Sequence, residues 1–172
     1  MKRYLKKTKL WRSVGEYLRI PLRQRLLNWF VHRIIFRTKH LRFSLHFASR
    51  VTHADKLVLG KFAAFCLAQY GGCYLGCLNG LIIGEGTGIA AGVKIMTSNH
   101  PIDEHGINWS QYIKAPPVRI GDNCWLSSNV VILPGVELGD NVIVAAGAVV
   151  TKSFPSNCVI AGVPAKIIKQ KL

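Results

Sequence analysis

From Ile120 onward the chain repeats itself every six residues, with Leu126, Ile132, Leu138, Val144 and Val150 falling at constant spacing. Stepping by six from Leu59 gives Phe65, Gly71, Cys77, Ile83, Ile89 and Ile95, so the same beat runs on both sides of an interruption. A second register, four residues later, holds mainly small or β-branched residues: Ala63, Leu75, Leu81, Thr87 and Val93, then Cys124, Val130, Val136, Val142 and Ala148. A period of six suits neither an α-helix, whose apolar residues recur near 3.6, nor an ordinary strand, which alternates at about two. It suits a short strand and a tight turn, repeated so that an aliphatic side chain always points inward. Three such hexads close a triangular coil, and stacked coils pair their backbones at about 4.8 Å. Small residues are then expected at the corners, as in Ile83-Gly84, Ile120-Gly121 and Leu138-Gly139. One coil alone cannot bury its apolar face, so stability must come from stacking.

The beat fails after Ile95. The next inward positions fall on Pro101 and Ile107, in the stretch PIDEHGINWSQYIKAPPVR, and the rhythm resumes at Ile120 shifted by one. Residues 101–119 are therefore predicted to be a loop thrown out from the coil. Trp109, Tyr112 and the stiff Pro116-Pro117 pair argue that it is ordered, and long ordered loops on rigid scaffolds usually carry function. His100 stands at the root of this loop.

The hexads and the sequence Asn99-His100-Pro101 resemble the hexapeptide-repeat acyltransferases, in particular bacterial galactoside- and maltose-type and surface-polysaccharide O-acetyltransferases. The resemblance implies an all-β solenoid over residues 51–172, a left-handed parallel β-helix with a short C-terminal extension. Within it, residues 62–83 read as weak early coils with Cys77 in the core. It also implies an enzyme that moves an acetyl group from acetyl-CoA to a sugar hydroxyl in polysaccharide or lipopolysaccharide biosynthesis, as a homotrimer with its sites between subunits. The acceptor would be a sugar or a lipid-linked saccharide, and no metal is expected. His100 matches the catalytic base, because a sugar hydroxyl is a poor nucleophile until a positioned imidazole takes its proton.

The same resemblance assigns the donor side. Trp125, in GDNCW, matches a tryptophan lying against the pantetheine arm, and Ser128 a nearby contact. Ala146, in AAGAVVTK, would offer its backbone amide, with Thr151 and Lys152 following at the matching spacing. Lys166 and Lys169, in PAKIIK, match basic residues that meet the nucleotide phosphates; both are lysine where arginine is common, which forgoes a bidentate grip. A solvated lysine near the C-terminus is the alternative reading of Lys169. Asn79, in CLNGLIIG, falls where relatives hold acceptor contacts, although the alignment slips by a residue there.

Charge separates a leader from the repeat. Residues 1–50 hold fourteen Lys and Arg against the single acid Glu16, while residues 51–172 hold nine against seven. Ser13 and Glu16 suggest a capping box, Pro21 a break, and Leu22 to Phe36 an amphipathic helix. Such a leader suits an anionic membrane surface or a cap on the open end of the solenoid, and the two are compatible. Nucleic acid is not expected as a partner, since basic charge alone does not select it. Five cysteines at 66, 73, 77, 124 and 158 form no CxxC pair and suit reduced thiols in a cytoplasmic protein, peripheral on the inner face of the membrane if the leader docks there. The uncharged run 62–83 is long enough to span a bilayer, but its glycines and its place in the hexad register argue against that.

Two rivals remain open at this point. A metal-dependent hydratase of the γ-carbonic anhydrase type would use His100 and His105 as ligands, yet residues 54–99 contain no further histidine. A non-catalytic scaffold at a membrane would bind no acetyl-CoA.

Overall fold

A computed structural model describes residues 20–35 and 43–170; the capping box expected at Ser13 and Glu16 lies outside them. Three parallel sheets form the body of the molecule. The first contains β1 (Arg50–Thr52), β3 (Tyr74–Gly76), β6 (Lys94–Met96), β11 (Val131–Ile132) and β14 (Val149–Val150). The second contains β2 (Leu57–Leu59), β4 (Leu81–Ile83), β9 (Val118–Ile120) and β12 (Glu137–Leu138). The third contains β5 (Gly88–Ile89), β10 (Trp125–Leu126), β13 (Ile143–Val144) and β15 (Cys158–Ala161), with β16 (Lys166–Gln170) added antiparallel on β15. The chain visits the sheets in rotation, so each successive hexad lands on the next one.

The register explains the period. Leu75 pairs with Ile95, Ile95 with Ile132 and Ile132 with Val150 in the first sheet. Ile83, Ile120 and Leu138 align in the second, and Ile89, Leu126, Val144 and Ile160 in the third. All of these side chains are at most 1% exposed, which makes three aliphatic ladders that meet inside one core. The second register is inward as well: Leu81, Thr87, Val93, Cys124, Val130, Val136, Val142 and Ala148 are buried and fill the space between the ladders, while Leu75 joins the first ladder. A coil this narrow leaves room for one large and one small inward residue per hexad.

The glycine that follows the second-sheet strand stands at a true corner. Gly60, Gly84, Gly121 and Gly139 form a column in which each backbone lies directly against the next. A Cβ on Gly121 would come within 2.6 Å of the Gly139 carbonyl carbon and oxygen, neither of which can yield without parting the coils. Side chains tie the same edge together: Asp122 Oδ1 accepts from the Glu85 amide and Asp140 Oδ1 from the Asp122 amide, both at 2.8 Å. Gly121→Ala is expected to cost about 1–3 kcal/mol in a denaturant melt, an overpacking penalty.

Residues 61–69 correct the expectation of early coils. Lys61–Gln69 form an α-helix, α2, that occupies the third side of the first turn in place of a strand. It buries Ala63, Cys66, Leu67 and Ala68, at helical spacing, while Phe65, which stands on the six-residue beat, is only partly buried. Ala, Leu and Phe with no β-branched residue favour this helix locally. The three-sheet body thus includes a helix and is not all-β outside the leader.

In the leader, α1 spans Leu22–Phe30 after Pro21 and runs into a π-helical turn at Val31–Ile35, so the expected helix to Phe36 ends sooner and changes its winding. It sits at the start of the stack through polar groups: Asn28 Nδ2 donates to the Ala68 carbonyl (3.0 Å), Asn28 Oδ1 accepts from the Phe47 amide (3.0 Å), and Gln24 Nε2 donates to the Gln69 carbonyl (3.1 Å).

All five cysteines are buried thiols. Burial pushes Cys77 up to about 12, with the Asp55 charge adding to it, and raises Cys73 and Cys124 in the same direction. A raised value depletes the thiolate, which is the reactive form. Native protein at pH 8 should therefore react slowly with an aromatic disulfide reagent, and all five thiols should titrate promptly after unfolding.

Candidate active site

The interruption in the beat is a projection between the first and second sheets. After β6 the chain leaves the stack, makes a small antiparallel hairpin from β7 (Ile102–Asp103) and β8 (Gly106–Ile107), and returns at β9, whose first residue, Val118, is fully buried. The root of the projection is stitched from both sides. Asn79, in the turn between β3 and β4, donates from Nδ2 to the carbonyls of Thr97 (2.7 Å) and Ile113 (2.9 Å). Its own amide donates to the buried Thr97 hydroxyl oxygen (2.9 Å), and the Ile113 amide donates to the Asn99 carbonyl (2.8 Å).

His100 sits within this frame, half-buried. Its Nδ1 lies 2.8 Å from the Gln111 carbonyl oxygen. A carbonyl can only accept, so Nδ1 carries the proton and donates, and in the neutral ring the lone pair is left on Nε2. The rings of Trp109 and Tyr112 flank the imidazole, with centroids 5.0 and 4.6 Å away. A histidine oriented by a carbonyl on one nitrogen and walled by aromatics is built to take a proton on the other. Gln111 was not legible beforehand, because a main-chain carbonyl leaves no mark on residue type. His105 lies out on the hairpin, 87% exposed, with Nε2 3.6 Å from Glu104 Oε1. Among the described residues no group of three His, Cys, Asp or Glu is placed to hold a metal ion, so the ligand set a hydratase needs is not assembled there.

The residues matched to the donor lie elsewhere on the same chain. Trp125 points out from the third sheet, and its indole lies across Gly88, whose missing side chain makes room: a Cβ there would stand 2.5 Å from the ring and 3.3 Å from Phe62. Ser128 and Ala146 are exposed at the edge between the third and first sheets, stacked one turn apart, with the Gly147 amide donating to the Ser128 carbonyl (2.9 Å). Thr151 and Lys152 are exposed just after β14, on the edge from which the His100 loop leaves, and Lys152 Nζ lies 5.8 Å from the Phe154 ring centroid. Lys166 and Lys169 are exposed along β16. One chain therefore does not bring His100 to Trp125: they stand on different sides of the three-sheet body. Asn79 and His100, in contrast, share the root of one loop.

Residues 117–152, the turns that carry the donor-side motifs, match the family described as bacterial transferase hexapeptide (six repeats). Over 88 residues the chain is 41% identical to galactoside O-acetyltransferase of Escherichia coli (strain K12), covering 51% of this chain and 43% of that protein. It is 40% identical over 105 residues to WbbJ of the same organism, named for O-acetyl transfer in lipopolysaccharide biosynthesis, covering 56% of this chain and 54% of that one. The chain thus spans about half the length of the curated relatives it matches. Among solved structures it is similar to a maltose O-acetyltransferase from Clostridium difficile 630, with a TM-score of 0.62 and 32% identity, covering 72% of this chain and 64% of that one. The six-residue period read from the side chains and explained by the ladders is matched, over the turns below the His100 loop, by the hexapeptide-repeat transferase family, and the chain is similar to O-acetyltransferases.

Proposed function

We propose that this protein is an acetyl-CoA-dependent O-acetyltransferase acting on a sugar hydroxyl, with His100 as general base. The observation that carries the reading is the Nδ1 contact to the Gln111 carbonyl, which leaves Nε2 as the proton acceptor. In the proposed step the acceptor hydroxyl gives its proton to Nε2 as its oxygen attacks the thioester carbonyl. The tetrahedral intermediate collapses by breaking the carbon–sulfur bond, and the imidazolium returns the proton to the departing thiolate. The products are a sugar acetate and coenzyme A, and the histidine ends as it began. General-base assistance of this kind contributes about 10²- to 10⁴-fold, and alignment of the two substrates supplies much of the remainder.

On this reading the pantetheine arm runs along the Trp125 indole and the Ser128 and Ala146 edge, and Thr151 and Lys152 reach it from the edge of a neighbouring copy that also carries the His100 loop. Lys166 and Lys169 meet the nucleotide phosphates as point charges. The separation of Trp125 from His100 within one chain supports a site completed by a neighbouring copy, in a homotrimer whose coil is left-handed as the family resemblance implies. Asn79 keeps Oδ1 for an acceptor hydroxyl while its amide nitrogen holds the loop. The similarity to WbbJ supports a polysaccharide or lipopolysaccharide acceptor. The test is coenzyme A release from acetyl-CoA across a panel of simple sugars, oligosaccharides and lipid-linked saccharides. Release stimulated by at least one sugar is expected; hydrolysis alone, with every acceptor inert, overturns the reading.

A further inference from the structure

Helix α1 is amphipathic in the reverse of the usual sense. Gln24, Asn28 and His32, spaced by four, form the face turned to the body: the first two bond to α2 and to Phe47 as described, and His32 Nε2 lies 3.1 Å from the His46 carbonyl oxygen. Asn28 and His32 are buried. The apolar residues consequently face outward: Leu22 is 61% exposed, Leu26 59%, Trp29 58% and Phe30 48%. A helix that spends its polar residues on the core and shows water its leucines and tryptophan has the wrong polarity for a solvated cap.

Charge narrows what covers this face. Arg23 and Arg33 are exposed beside the apolar residues, and residues 1–50 carry fourteen basic residues to one acid. A second copy brought face to face would set two strongly cationic leaders against each other, which opposes association. The leader's own residues 1–19 hold Lys and Arg with Glu16 alone to offset them. An anionic lipid surface satisfies both features at once, taking leucine and tryptophan at the level of the headgroups and pairing phosphates with arginine. Among the described residues no helix is long and apolar enough to cross a membrane, and at nine residues α1 is about 13.5 Å long, a length that suits the interface of a bilayer.

We propose that the outer face of α1 docks the protein on an anionic membrane through Leu22, Leu26, Trp29 and Phe30, flanked by Arg23 and Arg33. This rests on the polarity of α1 and stands whether or not the chain transfers acetyl groups. The test is co-sedimentation of the full chain with phosphatidylglycerol–phosphatidylcholine vesicles and with phosphatidylcholine alone. Pelleting with the anionic vesicles, weakening as salt rises, is expected. Leu26→Glu with Trp29→Glu should lower the partition coefficient at least about tenfold without changing the melt, since both side chains are exposed; Arg23→Gln with Arg33→Gln should lower it several-fold. The proposal is overturned if anionic vesicles leave the protein in the supernatant, if phosphatidylcholine alone pellets it equally, or if the Leu26→Glu, Trp29→Glu variant binds as wild type. It is also overturned if that variant instead breaks a larger assembly into smaller species, which would assign the face to another copy.

Discussion

His100→Ala should lower coenzyme A release by about 10²- to 10⁴-fold while acetyl-CoA still binds. The size follows from the proposed role: the imidazole would remove a proton that water at neutral pH removes poorly, while most of the matched donor contacts, Trp125, Ser128 and Ala146 among them, lie on other sides of the body. The loss should fall on kcat and kcat/KM together, the signature of an interaction made only in the transition state. Isothermal titration with acetyl-CoA and a stopped thiol assay read the two halves separately. Loss of binding in step with activity would make His100 a donor contact. His100→Gln should be nearly as inactive as alanine, since an amide fills the space and cannot take the proton.

Leu126→Ala should destabilise the fold by about 2–5 kcal/mol. Leu126 is fully buried in the third ladder, between Ile89 and Val144, and the stacked strands fix their own spacing and cannot close on the cavity. In a protein of this size that corresponds to a fall in Tm on the order of 10 °C. Trp125→Ala, one residue away on the outside of the same strand, makes the contrast. It is 39% exposed, so it should cost far less stability while weakening acetyl-CoA binding. If the two variants melted alike, the inward and outward assignment of β10 would be wrong.

The ladders were legible because a triangular coil admits one residue class at each inward position, and Ile83, Ile89, Ile95, Ile120, Leu126 and Ile132 report it directly. The projection was legible for the complementary reason: Pro101 cannot serve as an inward strand residue, and the beat reappears displaced. The helix at residues 61–69 was not, because Phe65 keeps the six-residue register while Ala63, Cys66 and Leu67 keep the helical one, and a segment apolar on nearly every side satisfies both. The orientation of α1 was left open by the sequence, which suited a membrane surface and a cap alike. Its sign in the sequence was the spacing of Gln24, Asn28 and His32, which only becomes meaningful once carbonyls at Ala68, Gln69 and His46 stand opposite. At the site, side-chain identity pointed to His100, whereas the group that fixes its tautomer is a backbone carbonyl, and the room beneath Trp125 is the absence of a side chain at Gly88.

The loop root presents His100 with its proton on Nδ1 and its lone pair on Nε2. Long-range proton–nitrogen correlation on protein labelled with ¹⁵N-histidine, assigned by the loss of one ring in His100→Gln, reads this directly. At a pH where the ring is neutral, the spectrum should show a protonated, donor-type Nδ1 and a lone-pair-type Nε2. A ring with the proton on Nε2, or one averaging between the two tautomers, would contradict it.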